Sequence, residues 1–368
     1  MADSGYQVYI LAPHYQGAKL LEVIDSISVY RFPYFWPKKF QKLCYEGGIL
    51  PSLRKNKLLW IQVPFLVLSQ IFYASKIIKK QNIDIIHAHW LMPSGITGVI
   101  CKLVFNRKLL VTIHGSDIFP LRKRLYKSTI KVMLAACNSF TANSHATAKA
   151  AQKVLGVNKK IEIIPMGVDT NKFKPYERII RSEEPIILGV GRLIHWKGFE
   201  YLIRAMPLVL ERFPKARLVI CGDGPERKTL ENLAGELDVT SKVIFKGNVP
   251  NDKLPEYYKS ASVFVLPSIV DSTGETEALG VVLLETMACG TPVIGSNVGG
   301  IPDIIEDGQN GFLTEQKNPQ DIADKIINLL SDEYLRLELS RYGLQTVTNK
   351  FSWEIVSNRF NDIYQHLR

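Results

Sequence analysis

Short apolar runs rich in β-branched residues alternate along the chain with longer segments in which apolar side chains return every three or four positions. In the first half the short runs are Tyr6 to Ala12, Ile27 to Phe32, Asp84 to Trp90, Lys108 to His114, Ser139 to Asn143 and Ile161 to Pro165. In the second they are Pro185 to Gly191, Ala216 to Cys221, Val243 to Lys246, Val263 to Leu266, Pro292 to Ser296 and Phe312 to Thr314. These read as strands with helices between most of them, an alternation that implies parallel sheets covered on both faces. The predicted fold is α/β: two Rossmann-like, doubly wound parallel-sheet domains in series. We place the first over 1–166, a charged linker carrying Pro175 over 167–184 and the second over 185–350. Asp332 to Lys350 and Ser352 to Leu367 read as helices, and residues 351–368 are expected to cross back to the first domain. Open parallel sheets bind ligands beyond the carboxyl ends of their strands, so the loops that follow strands are the places to look for function.

Composition narrows the class. A chain of 368 residues, 46% hydrophobic and 22% charged, is neither disordered nor collagen-like. Its five cysteines (Cys44, Cys101, Cys137, Cys221 and Cys289) are scattered and form no C-x-x-C pair, so they read as reduced thiols of a cytosolic protein. No stretch reads as a signal peptide. The nearest approach to a membrane span, Leu58 to Ala74, is interrupted by Gln62, Pro64, Ser69 and Gln70 and reads as a helix on or under a surface. The expected location is cytoplasmic, including the cytoplasmic face of a membrane.

Charge adds a partner. The net charge of +11 is uneven: up to residue 165 there are 23 Lys plus Arg against 7 Asp plus Glu, and from 166 onward 23 against 28. An anionic partner of the first half is nucleic acid, anionic lipid or a phosphorylated small molecule. No recognition-helix, zinc-finger or RNA-binding signature supports nucleic acid. The clusters Lys38-Lys39, Arg54-Lys55-Lys57, Lys79-Lys80 and Arg122-Lys123-Arg124 are interleaved with Trp36, Phe40, Trp60, Phe65, Phe72 and Tyr126. That pairing suits an anionic membrane surface, and a solvated basic face over core aromatics is the alternative.

Three stretches carry candidate chemistry. Strand Pro185 to Gly191 runs into Gly191-Arg192-Leu193-Ile194-His195-Trp196-Lys197-Gly198 before a helix, placing two cations at a helix start, where a diphosphate fits and where solvated surface is also common. The next strand ends in Gly222-Asp223-Gly224-Pro225, which lacks the third glycine of a dinucleotide fingerprint. It is either a tight turn that lets backbone approach a nucleotide or turn chemistry alone. Third, Glu277 and Glu285 stand eight residues apart; on one helix they would be about 12 Å apart along the axis and about 80° apart in rotation. So placed, they suit the two ends of an elongated ligand, a sugar and a ribose, better than the two sides of one glycosidic bond. Two exposed glutamates on an otherwise apolar helix would show the same spacing.

Together, G-R-L-x-x-x-K-G at 191–198, G-D-G-P at 222–225, E-x7-E at 277–285, M-A-C-G-T-P-V-I at 287–294 and G-G-I-P-D-I-I at 299–305 resemble glycosyltransferase family 4, retaining enzymes of GT-B fold. Ile164 to Asp169 and Thr112 to Asp117 extend the resemblance over nearly the whole chain. The resemblance implies a nucleoside diphosphate sugar as donor and a glycan or lipid-linked acceptor, in surface-polysaccharide or glycolipid biosynthesis. It implies Arg192 and Lys197 on the donor diphosphate, Glu285 on the ribose, backbone around Gly222, Leu279 and Gly280 near the donor, and Val249 near the base. His114 and Glu277 are the implied catalytic residues, facing the transferred sugar. His89, Trp90 and Asp117 are expected on the acceptor side. No two aspartates are two apart, so no D-x-D metal motif is present; no metal and no cofactor is expected, with cations and helix dipoles neutralising the diphosphate.

Two departures qualify the resemblance. The aromatic-glycine pair usual after the first glutamate is Leu279-Gly280. Members of the family begin with a strand, a Gly-Gly loop and a helix, whereas this chain opens on a segment that resembles the region after that helix, so the strand-loop-helix unit is expected to be missing. A binding or scaffolding protein that has lost transfer activity is therefore the rival reading, and a nicotinamide-dependent oxidoreductase, with its incomplete fingerprint, the third.

Overall fold

The computed structural model of the chain describes residues 2, 5–45, 48–119, 131, 135–156, 160–175 and 184–368. The Arg122-Lys123-Arg124 cluster, Tyr126 and residues 176–183 of the expected linker lie outside the described residues.

The first half holds two sheets. β1 (Tyr9–Pro13), β2 (Leu21–Ile24) and β3 (Ile27–Phe32) form one in the order β1-β3-β2, with β1 parallel and β2 antiparallel to β3. β4 (Ile85–His89), β5 (Lys108–Ile113), β6 (Ser139–Ala142) and β7 (Glu162–Ile163) form a parallel sheet in that order. Strand β2 was not expected: Asp25 and Ser26, with φ of 48° and 66°, make a tight left-handed turn that folds it back onto β3. The four described helices here are α1 (Ile49–Lys55), α2 (Gln62–Gln81), α3 (Ile96–Phe105) and α4 (His145–Leu155). Among the described residues no ladder joins the two sheets, so β1 and β4 each form an edge.

The second half is one six-stranded parallel sheet, ordered β10 (Val243–Gly247), β9 (Arg217–Cys221), β8 (Ile186–Val190), β11 (Val263–Leu266), β12 (Val293–Ser296), β13 (Phe312–Thr314). Every residue of β11 is buried, as expected of a parallel strand with helices on both faces. One face packs on α5 (Phe199–Arg212), α6 (Arg227–Glu236) and α9 (Pro319–Ser331), the other on α7 (Leu254–Ser260) and α8 (Val281–Ala288). The chain reverses direction across the sheet between β8 and β11. A crevice therefore opens where the loops after these two strands part.

Two helices close the chain, α10 (Glu333–Thr346) and α11 (Trp353–Leu367), capped by the side chains of Asp332 and Ser352. Val356 and Ile363 of α11 pack with Leu110 of β5 and with Ile164, and Arg359 bonds to the Ile163 carbonyl. Val168 and Phe173, inside the segment read as linker, are buried in the core of the second domain, and Val168 bridges to Ser352. The two halves also meet through Arg54 and Glu275 at 2.6 Å and through Asp303, which accepts from the His145 amide at 2.6 Å.

Candidate active site

The loop after β8 begins at Gly191 and ends in a turn, His195–Lys197, before Gly198 opens α5. The start of α5 carries no side-chain cap, so no side chain neutralises the positive end of its dipole, which lies directly after Lys197. Gly222, at the end of β9, lies directly against the Gly191 carbonyl: its φ is +145°, and a Cβ there would overlap that oxygen. Two strand-end loops are thereby pressed together, and the Gly222 amide donates to Gly247 at 2.7 Å, which brings in the loop carrying Val249.

Lys197 turns back from this loop onto Glu277, Nζ to Oε2 at 2.5 Å, with only 12% and 10% of the two side chains exposed. The Ser268 hydroxyl donates to the same oxygen at 3.4 Å, and the Trp196 ring lies 4.9 Å from the ammonium. Arg192 is exposed at the rim of the same loop. The helical geometry expected for the two glutamates does not hold. α8 starts only at Val281, because Gly280 adopts φ +96° and ends the preceding loop, so Glu277 is a loop residue and only Glu285 is helical. Leu279 is buried beneath this turn, and the uncapped start of α8 is a second helix N-terminus at the crevice.

Glu285, on α8, is largely buried. The Tyr258 hydroxyl donates to its Oε2 at 2.6 Å. Burial raises the pKa of Glu285, while the Tyr258 bond and the Lys172 ammonium oppose that rise. Burial, then the neighbouring Glu285 carboxylate, pushes the Tyr258 hydroxyl well above its ordinary value. Lys172 bonds to the Asn251 side chain, so the Glu285 end of the site joins the loop after β10 that carries Val249.

Across the cleft, three histidines line the carboxyl ends of β4 and β5. His114 Nε2 and His89 Nδ1 are 2.9 Å apart, and His89 stacks in turn on His87 with centroids 4.3 Å apart. His87 is held by Tyr364 of α11 (2.6 Å) and by Thr112 (2.7 Å). Burial first, and then His89, lowers the pKa of His114 to about 4; burial also lowers that of His89, and lowers that of His87 well below its ordinary value. The cluster is therefore neutral at pH 7. Trp90, half-exposed, meets His114 edge-on at 6.0 Å. Asp117 uses both oxygens on backbone, accepting from His114 N at 3.0 Å and Leu91 N at 2.8 Å, which ties together the loops after β4 and β5.

The two sides touch. A Cβ at Gly115, beside His114, would stand 2.5 Å from the Cβ of Ala278, beside Glu277. His114, Trp90, His89 and Asp117 thus form one wall, and Lys197, Glu277 and Arg192 the facing one. Glu285, Gly222 and Val249 extend the second wall away from the contact. Tyr258, Ser268, Lys172, His87 and Tyr364 were not singled out from the sequence; each acts through a partner nine or more residues away in the chain. A groove between α7 and the sheet, lined by Leu188, Val219, Ile244 and Tyr257, lies apart from these side chains.

Comparison with known proteins places the chain among related sequences. Residues 171–346 match the family described as "Glycosyl transferases group 1" and residues 1–172 that described as "Glycosyltransferase Family 4". The chain is 33% identical over 331 residues to an uncharacterised glycosyltransferase of Methanocaldococcus jannaschii, covering 83% of this chain and 82% of that one. It is 30% identical over 300 residues to the N-acetyl-alpha-D-glucosaminyl L-malate synthase of Bacillus anthracis, with 79% and 76% covered. To the GDP-mannose-dependent alpha-(1-6)-phosphatidylinositol monomannoside mannosyltransferase of Mycobacterium tuberculosis it is 27% identical over 296 residues, with 78% and 77% covered. Among solved structures, sucrose-phosphate synthase from Thermosynechococcus elongatus superposes with a TM-score of 0.78 at 24% identity, covering all of this chain and 90% of that one.

Proposed function

The chain belongs to the group 1 glycosyltransferases, family 4, of GT-B fold, and from that premise we propose that it transfers a sugar from a nucleoside diphosphate donor with retention of configuration. The observation that carries the reading is the Lys197–Glu277 pair at the mouth of two uncapped helices, touching the loop of His114. When a donor enters, its diphosphate takes up Lys197 and Arg192, and Glu277 is released to accept hydrogen bonds from sugar hydroxyls. Glu285, held by Tyr258, accepts from the ribose, and the loop of Val249 borders the base. Neutral His114 faces the sugar from the other wall and donates or accepts a hydrogen bond without adding charge. The acceptor enters along His89 and Trp90 and attacks on the face that the diphosphate leaves, the departing phosphate accepting its proton. Cationic side chains and helix dipoles stabilise the leaving group, so the reaction runs without a metal.

The acceptor is a glycan or a lipid-linked molecule, and the place of work is the cytoplasm or the cytoplasmic face of a membrane. The named relatives act on acceptors as different as malate and a phosphatidylinositol mannoside. What favours the second kind here is the basic first half, which suits anionic headgroups or an acceptor's own phosphates. Turnover of a nucleotide-sugar panel, read as release of nucleoside diphosphate with and without membrane lipids, tests the proposal. Tight nucleotide binding with no turnover on any donor would favour the non-catalytic binding protein instead.

A further inference from the structure

Helix α2 turns Leu66, Gln70, Ile77 and Ile78 inward, and Gln70 bonds to Thr97 and Ser94 around the start of α3. Its other face carries Phe65, Leu68 and Phe72, and Ile61, the residue that caps its start, continues them at spacings of four, three and four, in one stripe. In chain order they are 65%, 49%, 64% and 64% exposed. The patch continues sideways: Phe35 packs edge-on against Phe65 at 5.4 Å, and Gln62 donates to the Phe40 carbonyl at 2.7 Å, which brings exposed Trp36 and Phe40 alongside. Towards the end of α2 the same exposed side becomes Lys76, Lys79 and Lys80. Between residues 36 and 81 the chain has nine Lys or Arg and one Asp or Glu.

Soluble surfaces rarely expose a contiguous apolar stripe of this kind, and one rimmed by a single sign of charge suits a helix lying in a lipid interface. We propose that this face docks in the plane of an anionic bilayer, the aromatic and aliphatic stripe entering the boundary between headgroups and acyl chains while the lysines meet anionic headgroups. The proposal rests on the reading of an anionic partner for the first half and commits it to lipid. Residues 57–81 are long and apolar enough to cross a membrane by length and composition. Spanning would nevertheless pull Leu66 out of its cluster with Phe32, Tyr34, Leu43 and Leu53 and strip Gln70 of its partners. A second copy of the chain is the poorer occupant, because a two-fold contact sets this patch against itself and so faces like charge with like.

The test is co-sedimentation of the full chain with phosphatidylcholine vesicles, with and without phosphatidylglycerol. Binding should require the anionic lipid, weaken as salt rises and be released by alkaline carbonate. Leu68→Glu with Phe72→Glu should lower partitioning at least about tenfold. Lys76→Gln with Lys79→Gln and Lys80→Gln should lower the preference for anionic lipid by about a hundredfold. Both variants should keep the wild-type circular dichroism and nucleoside diphosphate affinity. Equal binding to neutral vesicles, wild-type binding by Leu68→Glu with Phe72→Glu, or retention after carbonate would each overturn the proposal. So would a wild-type dimer in sedimentation that the same two substitutions abolish. Loss of nucleotide binding with vesicle binding intact would instead strike the donor assignment and leave this one standing.

Discussion

Replacing Glu277 by Gln should separate nucleotide binding from sugar transfer. Glu277 and Lys197 neutralise each other at 2.5 Å, nearly out of water, so a diphosphate must compete with the carboxylate for the ammonium. Glu277→Gln removes that competitor. Plain nucleoside diphosphate should therefore bind as well as before or up to about 1 kcal/mol more tightly. Transfer should fall by roughly 1.5 to 3 kcal/mol, about 10- to 150-fold in kcat/KM, because the charged acceptor for the sugar hydroxyls is lost. Lys197→Ala should do the opposite to the nucleotide and weaken it by roughly 1 to 3 kcal/mol. Among the described residues it also leaves the Glu277 carboxylate with only the Ser268 hydroxyl at 3.4 Å, a broken buried pair that costs stability, at most about 3 to 5 kcal/mol. The double variant removes the stranded charge and should regain part of that loss, so the two substitutions should be strongly non-additive in a thermal-melt cycle. Calorimetry with uridine and guanosine diphosphates reads the binding, and donor turnover reads the transfer. If Glu277→Gln weakened plain nucleotide as much as Lys197→Ala does, or if the melt cycle were additive, the competition would be refuted.

Arg192→Ala should weaken nucleoside diphosphate binding by roughly 1 to 3 kcal/mol without lowering the melting temperature, since the side chain is exposed; unchanged affinity by calorimetry would remove it from the site. Glu285→Gln should weaken nucleotide and nucleotide sugar alike, and Tyr258→Phe should do so by about 1 kcal/mol through the lost donor; a loss confined to sugar transfer would contradict the assignment. Stability should depend on acid through the histidine wall. The folded protein holds His114 neutral to about pH 4, while the unfolded chain takes up that proton below its ordinary value of 6.5. The contribution is therefore present above pH 6.5 and is lost as pH falls toward 4, by at most about 3 kcal/mol for this residue. A melting temperature that stayed level over that range, or a fall that His114→Gln left unchanged, would count against it.

Most strands of both halves were legible because a buried parallel strand is a short apolar run bounded by turn residues, and that signal is local. The loop after β8 was legible as a strand-to-helix junction for the same reason: Arg192, Lys197 and the glycines around them lie within eight residues of one strand end. Where the reading went astray, the cause was a local backbone state or a distant partner. Glu277 was placed on a helix because the run after it is apolar. Gly280, whose φ of +96° starts α8 three residues later, was the signal in plain sight. Strand β2 was missed because its turn, Asp25-Ser26, has no glycine to announce the left-handed backbone it adopts. Nothing within reach of His87 announces Tyr364, 277 residues away, and nothing near Glu285 announces Tyr258. These are contacts made by the closing of one element on another. For the same reason the carboxylate and ammonium that face each other at the mouth of the cleft, 80 residues apart in sequence, were legible as two chemistries but not as one competing pair. The pairing follows from the order of β8 and β11 as neighbours in the sheet, which sets the loops after them side by side.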